Sequence, residues 1–152
     1  MVRNLKMYQE ELGLQVFPEL DTKIQYTEDE CLAISYLLSN KPVPEELKEQ
    51  LLTRLEEGMG RNYVLKRDGD IIHHAATYAE LDNLAVISGV ITREDWRGKG
   101  VGTLAVRKLC HDLLKEGKKP CLFYYTKQAA MFYKKIGFEE GTGWAKLVLR
   151  KG

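Results

Sequence analysis

The segment WRGKGVG at 96–102 combines two basic side chains with three glycines, a composition that can bind an anion. An apolar run over 84–92 precedes it and a helical pattern over 100–116 follows, so the glycines fall where a strand gives way to a helix. Glycine leaves backbone N–H groups uncovered, and the start of a helix adds the positive end of its dipole. Arg97 and Lys99 bring positive charge to the same place. The pattern predicts a phosphate site; the alternative is a turn that needs positive φ, flanked by solvated basic side chains.

Charge is distributed unevenly along the chain, although the formal net charge is only +1. Residues 1–96 hold 10 basic and 18 acidic side chains, whereas residues 97–135 hold 10 basic and 2 acidic ones. Two interpretations remain open: differently charged solvated faces, or a polyanionic ligand bound by the second region. A nucleic-acid partner is disfavoured, because the whole chain is near neutral and carries no recognition motif. The acidic first region hints at a cationic amine as a partner.

The common nucleotide-binding motifs do not fit the glycine-rich segment. The Rossmann pattern G-x-G-x-x-G fails, because Gly98 and Gly100 are followed by Thr103. The Walker pattern G-x-x-x-x-G-K-[ST] is also missing from the sequence. The pattern that remains behind the apolar run is Arg97-x-x-Gly100-x-Gly102.

Length and composition indicate one domain over residues 1–152, with enough apolar side chains (44%) to bury a core. No run approaches the roughly 18 consecutive apolar residues of a membrane helix, and the first residues, MVRNLKMYQEELG, lack the apolar stretch of a signal peptide. We therefore expect a cytoplasmic protein without a membrane partner. Neither a disulfide framework nor a metal site is expected, because no C-x-x-C pair occurs among the three cysteines, Cys31, Cys110 and Cys121.

Periodicity and turn residues predict helices in the first part of the chain and then a sheet whose strands alternate with further helices. The predicted helices cover 28–38 (with a capping box at Thr27 and Glu30), 44–58, 100–116 and 127–137. The predicted strands cover 22–26, a hairpin at 61–79 around Asp68-Gly69, 83–92, 120–126 and a closing pair around Thr142-Gly143. Gly89 lies inside an apolar strand and predicts a bulge or a close backbone approach. This order of elements favours an α+β (mixed α/β) domain built on one central sheet.

Two motifs resemble the GNAT superfamily of N-acetyltransferases. The segment Arg97-x-x-Gly100-x-Gly102 is similar to the family's Arg/Gln-x-x-Gly-x-Gly/Ala between its fourth strand and third helix. The segment AAMFYKKIGF at 129–138 is similar to the family's A-x-x-x-Y-x-x-x-G-F in the helix after its fifth strand. The two motifs occur in the family's order and spacing, and VITRED–WRGKG looks most like the FR47-like branch. The resemblance covers about residues 61–150 as the acetyl-CoA-binding core, and residues 1–60 correspond to the family's variable first helices.

The resemblance implies a fold and a cosubstrate. The fold is a central mixed, mostly antiparallel sheet of about six or seven strands flanked by helices, with a splayed central parallel strand pair. The cosubstrate is acetyl-CoA, without a metal, whose pyrophosphate the Gly-rich loop would hold and whose pantetheine arm would pair with strand backbone. The residues so implied are Val90, Ile91, Thr92, Arg97, Gly98, Lys99, Gly100, Val101, Gly102, Thr103 and Thr126, the last standing where many members carry Asn. Lys127 and Lys134 are outer contacts or solvated lysines.

The resemblance also implies direct attack of a primary amine, from a small molecule or a peptide, on the acetyl group. This chemistry needs a base for the amine, N–H donors for the oxyanion and an acid for the departing thiolate. Backbone N–H groups beside Gly89–Ile91 could be the donors, and Tyr133 matches the family's tyrosine and is expected to be the general acid. The alternative for Tyr133 is a packed aromatic residue. For the base, Glu80 is our first choice, and Asp82 and a water chain remain alternatives. One of His73 and His74 is a further candidate, because a histidine has a pKa suited to this role; otherwise both are ordinary edge or core histidines.

Other functions fit the same patterns. A domain of this fold could hold an acyl-CoA as a sensor, without a productive acceptor site. A nucleotide-phosphate binder of another fold would prefer ATP or NAD over CoA. Many GNAT relatives dimerise, so a homodimer is compatible with the resemblance, whereas nothing in the sequence names the acceptor amine.

Overall fold

The structure is a computed structural model that describes residues 21–24, 34, 44–58 and 60–141. Its helices are α1 (Pro44–Glu56), α2 (Val101–Lys115) and α3 (Lys127–Ile136). Its strands are β1 (Asp21–Ile24), β2 (Asn62–Arg67), β3 (Asp70–Glu80), β4 (Leu84–Thr92) and β5 (Lys119–Leu122), and a short 3-10 turn, Glu94–Trp96, joins β4 to α2. Among the described helices, none combines the length and the apolar content needed to cross a membrane.

The strands form one mixed sheet in the order β1-β2-β3-β4-β5. The first four strands pair antiparallel, and β5 runs parallel to β4. The predicted α+β class with a mixed, mostly antiparallel sheet is therefore confirmed. Five strands lie within the described residues, fewer than the six or seven expected, and the predicted closing pair around Thr142-Gly143 lies outside them. The predicted helix at 28–38 and its capping box also lie outside, except for Ile34, which is helical and fully buried.

The turn between β2 and β3 has the backbone that its two residues predict. Asp68 and Gly69 both have positive φ, 49° and 85°, as a type I′ turn requires. The flanking residues Arg67 and Asp70 face each other as the first pair of the hairpin. Asp68 and Gly69 therefore connect two long strands and fix their register.

Helix α2 packs its apolar stripe on the sheet and closes the larger core cluster. The predicted inner residues are all at most 2% exposed; they are Val101, Leu104, Ala105, Leu109 and Leu113. The helix ends in a Schellman motif, because Gly117 takes φ 78° and the amide of Lys118 donates to the carbonyl of Leu113 at 2.9 Å. The chain can therefore turn sharply into β5.

Strand β5 is shorter than its sequence predicts. The prediction covered 120–126, but the strand ends at Leu122, and the aromatic residues Phe123 and Tyr125 are 60% and 78% exposed. Aromatic residues favour strands only where a neighbouring strand and a packed face receive them. Strand β4 pairs with β5 only from Leu84 to Ile87, so the ladder between these two strands ends at Leu122.

Candidate functional site

Strands β4 and β5 part in the middle of the sheet. Their pairing runs from Leu84↔Lys119 to Ile87↔Leu122 and stops there. On the other side of β4, the register with β3 shifts just beyond this point, between the pairs Ala76↔Ser88 and His74↔Ile91. Two steps along β3 therefore match three steps along β4, which defines a bulge at Gly89 and Val90. The predicted bulge at Gly89 is therefore confirmed; the residue has φ +65°, and a Cβ there would lie 3.1 Å from the side-chain ring of His74.

The end of β4 presents backbone groups to the gap that β5 leaves. The amide of Arg93 donates to the carbonyl of Ile72 at 2.7 Å, which turns the polar groups of Arg93 toward β3. Backbone N–H and C=O groups alternate in direction along a regular strand, so those of Thr92 point to the opposite side. The Thr92 carbonyl accepts a hydrogen bond from Nε of Arg97 at 3.0 Å, which fits this direction. In the part of the chain that the structure describes, no strand pairs with this edge of β4 beyond Ile87, which leaves a strand edge along one wall of the gap.

The glycine-rich loop begins α2 with uncovered amides. Gly98 and Gly100 take φ of 75° and 86°, in the left-handed region that favours glycine. The first hydrogen bond of α2 runs from the amide of Leu104 to the carbonyl of Gly100 at 3.1 Å. The amides of residues 101–103 therefore have no acceptor within the helix. Three N–H groups at the positive end of a 15-residue helix have the direction and the dipole that favour an anion.

Gly102 lets this helix start lie close to both β4 and α3. A Cβ at Gly102 would lie 3.3 Å from Cζ of Phe132 and 3.5 Å from Oγ1 of Thr92. The distance to Phe132 is tighter than an ordinary contact between carbon atoms, and the distance to Thr92 is an ordinary van der Waals contact. The loop, the end of β4 and helix α3 therefore meet at Gly102, and a larger residue would separate them.

Trp96 packs into the protein core directly before the glycine-rich loop, a role that the sequence did not predict. Its side chain is buried in the larger core cluster. Nζ of Lys99 lies 4.6 Å and Cζ of Arg67 lies 5.3 Å from the centroid of its ring. These cation–π contacts keep positive charge beside the glycines. Arg93, by contrast, forms an ion pair with Asp95 at 2.6 Å and adds little net charge.

Tyr133 lies on α3 and packs against the larger core cluster. Its ring packs edge-on against Phe132 and Phe138, with centroids 5.1 Å and 5.7 Å away. It lines a cavity of about 690 Å³ together with Leu122 and Phe123, the last residue of β5 and the first beyond it. Burial, and then the nearby Cys110, raise the pKa of Tyr133 above its usual value. The phenol therefore stays protonated at neutral pH, as a proton donor must.

Thr126 caps α3, as its position predicts. Its Oγ1 accepts a hydrogen bond from the amide of Ala129 at 3.1 Å. Of the two lysines named as outer contacts, Lys134 lies 3.4 Å from the Glu140 carboxylate, and Lys127 is the exposed first residue of α3.

Glu80 lies at the other end of β4 from the bulge, within an ion-pair cluster. Its carboxylate accepts hydrogen bonds from Arg61 at 2.7 Å, Lys118 at 2.9 Å and Thr77 at 2.6 Å. Burial raises the pKa of Glu80, but these hydrogen bonds outweigh that effect and lower it to about 2. A carboxylate of such low pKa is a poor proton acceptor, so this environment fits the predicted base poorly.

The other base candidates differ in access. His73 and His74 are fully buried, and burial lowers their pKa values to about 3 and about 4. Neither imidazole reaches solvent, so both match the alternative of core histidines. Asp82 is exposed, in the turn between β3 and β4.

Among the described residues, these features together define a mixed sheet in which β4 continues beyond its ladder with β5, next to a helix start whose amides have no acceptor within the helix. The arrangement fits the CoA moiety: amides and basic side chains for phosphates, and a strand edge for an extended amide-containing arm. The described ranges bring together no group of three His, Cys, Asp or Glu side chains that could hold a metal ion.

The comparisons with known proteins agree on the family. The profile of the acetyltransferase (GNAT) domain matches residues 59–140, more than half of the chain. The chain therefore belongs to the GNAT family of acetyltransferases and is an acyltransferase, as the two motifs predict. No match is found among curated proteins.

Solved structures show the same fold at low sequence identity. A predicted acetyltransferase with acetyl-CoA from Clostridium acetobutylicum is 19% identical, with a TM-score of 0.70 over 85% of this chain and 96% of that one. An acetyltransferase from Trypanosoma brucei is 21% identical, with a TM-score of 0.71 over 86% and 99%. Glucosamine-6-phosphate N-acetyltransferase from Arabidopsis thaliana is 20% identical, with a TM-score of 0.67 over 85% and 99%.

Proposed function

We propose that this chain is an N-acetyltransferase that moves the acetyl group of acetyl-CoA to the primary amine of a small molecule or peptide by direct attack. The observation that carries the proposal is the parting of β4 and β5 at a bulge, directly before the uncovered start of α2. In this arrangement, a single extended ligand can contact the backbone edge of β4 with one part and the start of α2 with its anionic part.

In this proposal the chain holds the cosubstrate mainly through backbone groups. The amides of residues 101–103 and the side chains of Arg97 and Lys99 bind the phosphates. The edge of β4 from Val90 to Thr92 pairs with the pantetheine arm as with an added strand. The positive φ at Gly98 and Gly100 favours glycine, and glycine brings no side chain that would keep the phosphates away from the backbone.

The chemical step needs two groups at the gap. When bound, acetyl-CoA supplies a thioester carbon that an amine nitrogen attacks, and the C–S bond breaks as the C–N bond forms. The N–H of Val90, at the bulge, donates to the carbonyl oxygen as charge develops there. Tyr133 gives its phenol proton to the departing sulfur, and its raised pKa keeps that proton in place until then.

The proton of the amine leaves through water in this proposal. The low pKa of Glu80 and the burial of His73 and His74 argue against those three side chains as the base. Asp82 is exposed and stays a prediction for that role. The role that the contacts of Glu80 support is structural, because they join β3 to Arg61 and Lys118.

Calorimetric titration of the purified protein with acetyl-CoA, ATP and NAD tests the proposal. We expect selective binding of acetyl-CoA at micromolar concentration, followed by thiol release with at least one amine of a panel. Selective binding without turnover on any amine would favour the sensor. Preference for ATP or NAD would overturn the assignment of the Gly-rich loop to CoA.

A further inference from the structure

The bulge in β4 is held by a buried side chain from the neighbouring strand. Nδ1 of His74 lies 2.7 Å from the carbonyl oxygen of Gly89, and the imidazole is fully buried. The pairing between β3 and β4 is irregular at this point, between His74 and Ala76. The imidazole therefore gives the Gly89 carbonyl a hydrogen-bond partner where the regular ladder is interrupted.

The proton of His74 can be assigned to Nδ1. Burial lowers the pKa of His74 to about 4, against the opposing effect of its bond to Gly89, so the ring is neutral near pH 7 and carries one N–H. A carbonyl oxygen only accepts, so Nδ1 must be the donor. Nε2 then accepts, and the Asn62 amide, whose Oδ1 is placed 3.2 Å away, must present its NH2 group there instead.

This bond fixes the direction of one peptide unit. The described residues contain no cis peptide bond, and in a trans peptide the C=O of Gly89 and the N–H of Val90 point in opposite directions. The carbonyl is turned to His74, on the β3 side. The N–H of Val90 is consequently turned away from the His74 imidazole, and Val90 lies beyond Ile87, the last residue of β4 that pairs with β5.

The contact is close enough to couple the two residues. A Cβ at position 89 would lie 3.1 Å from Cε1 and 3.2 Å from Nδ1 of His74, so only glycine admits the ring at this distance. Glycine at φ +65° would otherwise be free to choose among several backbone conformations. The imidazole thus selects one orientation of a peptide that its own sequence leaves unrestricted.

We propose that His74 is a positioning residue, whose Nδ1–H holds the Gly89 carbonyl and thereby aims the Val90 N–H at the acetyl oxygen. The inference rests on the proposed function for its chemical consequence, but the orientation of the peptide is a property of the free protein. His74 itself touches neither the cosubstrate nor the amine in this account.

Two substitutions separate the hydrogen bond from mere packing. His74→Leu fills a similar volume without a donor, whereas His74→Asn places an amide N–H close to where Nδ1 lies. We expect His74→Leu to lower kcat by about 10- to 100-fold, below the loss for deleting an oxyanion donor outright. The KM for acetyl-CoA should stay within about threefold, because the phosphate site is untouched, and His74→Asn should recover most of kcat.

A spectroscopic readout follows the peptide without any turnover. The sequence contains two Gly-Val steps, Gly89-Val90 and Gly100-Val101, so protein made with [1-13C]glycine and [15N]valine gives two carbonyl–amide correlations. In the free protein, His74→Leu should shift the Gly89-Val90 signal and leave the other one in place, and His74→Asn should shift it less. In the wild type, CoA without an acetyl group should move mainly the Gly100-Val101 signal, and acetyl-CoA should move both.

The outcomes distinguish the inference from the proposed function. An unchanged Gly89-Val90 signal in His74→Leu, or a loss of kcat that His74→Asn does not recover, would overturn the role of His74. If neither signal of the wild type responds to acetyl-CoA, the proposed function fails. The Gly89-Val90 signals of wild type and variants without ligand still test whether His74 orients this peptide. Should His74→Leu not fold, His74→Gln replaces it, because its longer amide reaches toward Asn62 and should behave as a variant without the Gly89 bond.

Discussion

At the scale of single residues, Tyr133 carries the most direct prediction. Tyr133→Phe keeps the edge-on ring packing but removes the phenol proton, so we expect kcat to fall about 100-fold, within the range of lost acid catalysis. The affinity for CoA should change little. Steady-state kinetics and calorimetry measure the two quantities, and Tyr125→Phe, at an exposed tyrosine, is the matched control. Equal turnover of Tyr133→Phe and wild type would remove Tyr133 from the mechanism.

The anion site is tested at Gly100, because this residue directly precedes the amides of residues 101–103, which have no acceptor within the helix. Gly100→Glu brings a negative charge and a side chain to a residue with φ 86°, so we expect acetyl-CoA affinity to fall at least 100-fold. Gly69→Glu is a matched control, since Gly69 has φ 85° in the remote β2–β3 turn. Calorimetry on both variants separates charge at the site from backbone strain. Retained affinity in Gly100→Glu alone would contradict the site.

The sequence was enough to select the glycines and Tyr133 as candidate site residues, but not to predict the contacts that candidate residues such as Glu80 and His74 make. The glycine spacing is local, and so it is visible in the sequence. The ion pairs of Glu80 depend on Arg61 and Lys118, which lie 19 and 38 residues away, so the low pKa of Glu80 could not be foreseen. The bond from His74 to Gly89 likewise depends on the register of β3 against β4.

At the scale of elements, Gly102 sets the approach of α2 to α3. Gly102→Val places branched carbons where one Cβ would already lie 3.3 Å from the Phe132 ring, so we expect a loss of about 1–3 kcal/mol in the free energy of unfolding. Adding Phe132→Leu should recover part of that loss, because it removes the ring that the new methyl groups meet.

Urea denaturation of the two single variants and the double variant gives the coupling between these positions. A strictly additive double variant would show that α2 and α3 do not meet at Gly102. Phe132→Leu alone reports the cost of losing the ring.

Elements were predicted well where their signals are local. The inner stripe of α2, the Asp68-Gly69 turn and the Thr126 cap follow from periodicity and capping chemistry. The end of β5 was wrong by four residues, because Phe123–Thr126 have strand-like composition but lie beyond the end of the β4–β5 ladder. The extent of a strand is decided by its neighbour, which composition does not report.

At the scale of the whole molecule, the two buried histidines predict how stability depends on pH. Their folded pKa values, about 3 and about 4, lie below the unfolded value near 6.5. As pH falls below about 6.5, the unfolded chain binds protons that the folded chain does not, so stability decreases between about pH 6.5 and 4. Above pH 6.5 this contribution is constant.

Unfolding in urea at pH 7.5, 6 and 5 measures this dependence. His74→Asn removes one of the two groups, so its stability should fall less steeply over that range, whatever its stability at pH 7.5. Glu80 keeps its charge throughout, because its pKa is lowered to about 2. An identical slope in wild type and variant would show that His74 is not held neutral in the folded protein.

The cluster around Arg61 also bears on the order in which the molecule is assembled. Arg61 binds Glu116, 55 residues later in the chain, and Glu80 binds Lys118, 38 residues later. Contacts that close such long loops form late in folding, because the loop entropy must be overcome first. The cluster is thus complete only after β2, β3 and α2 have come together. We therefore expect these ion pairs to act mainly on the unfolding rate, so that breaking them would shorten the lifetime of the native state more than it would slow folding.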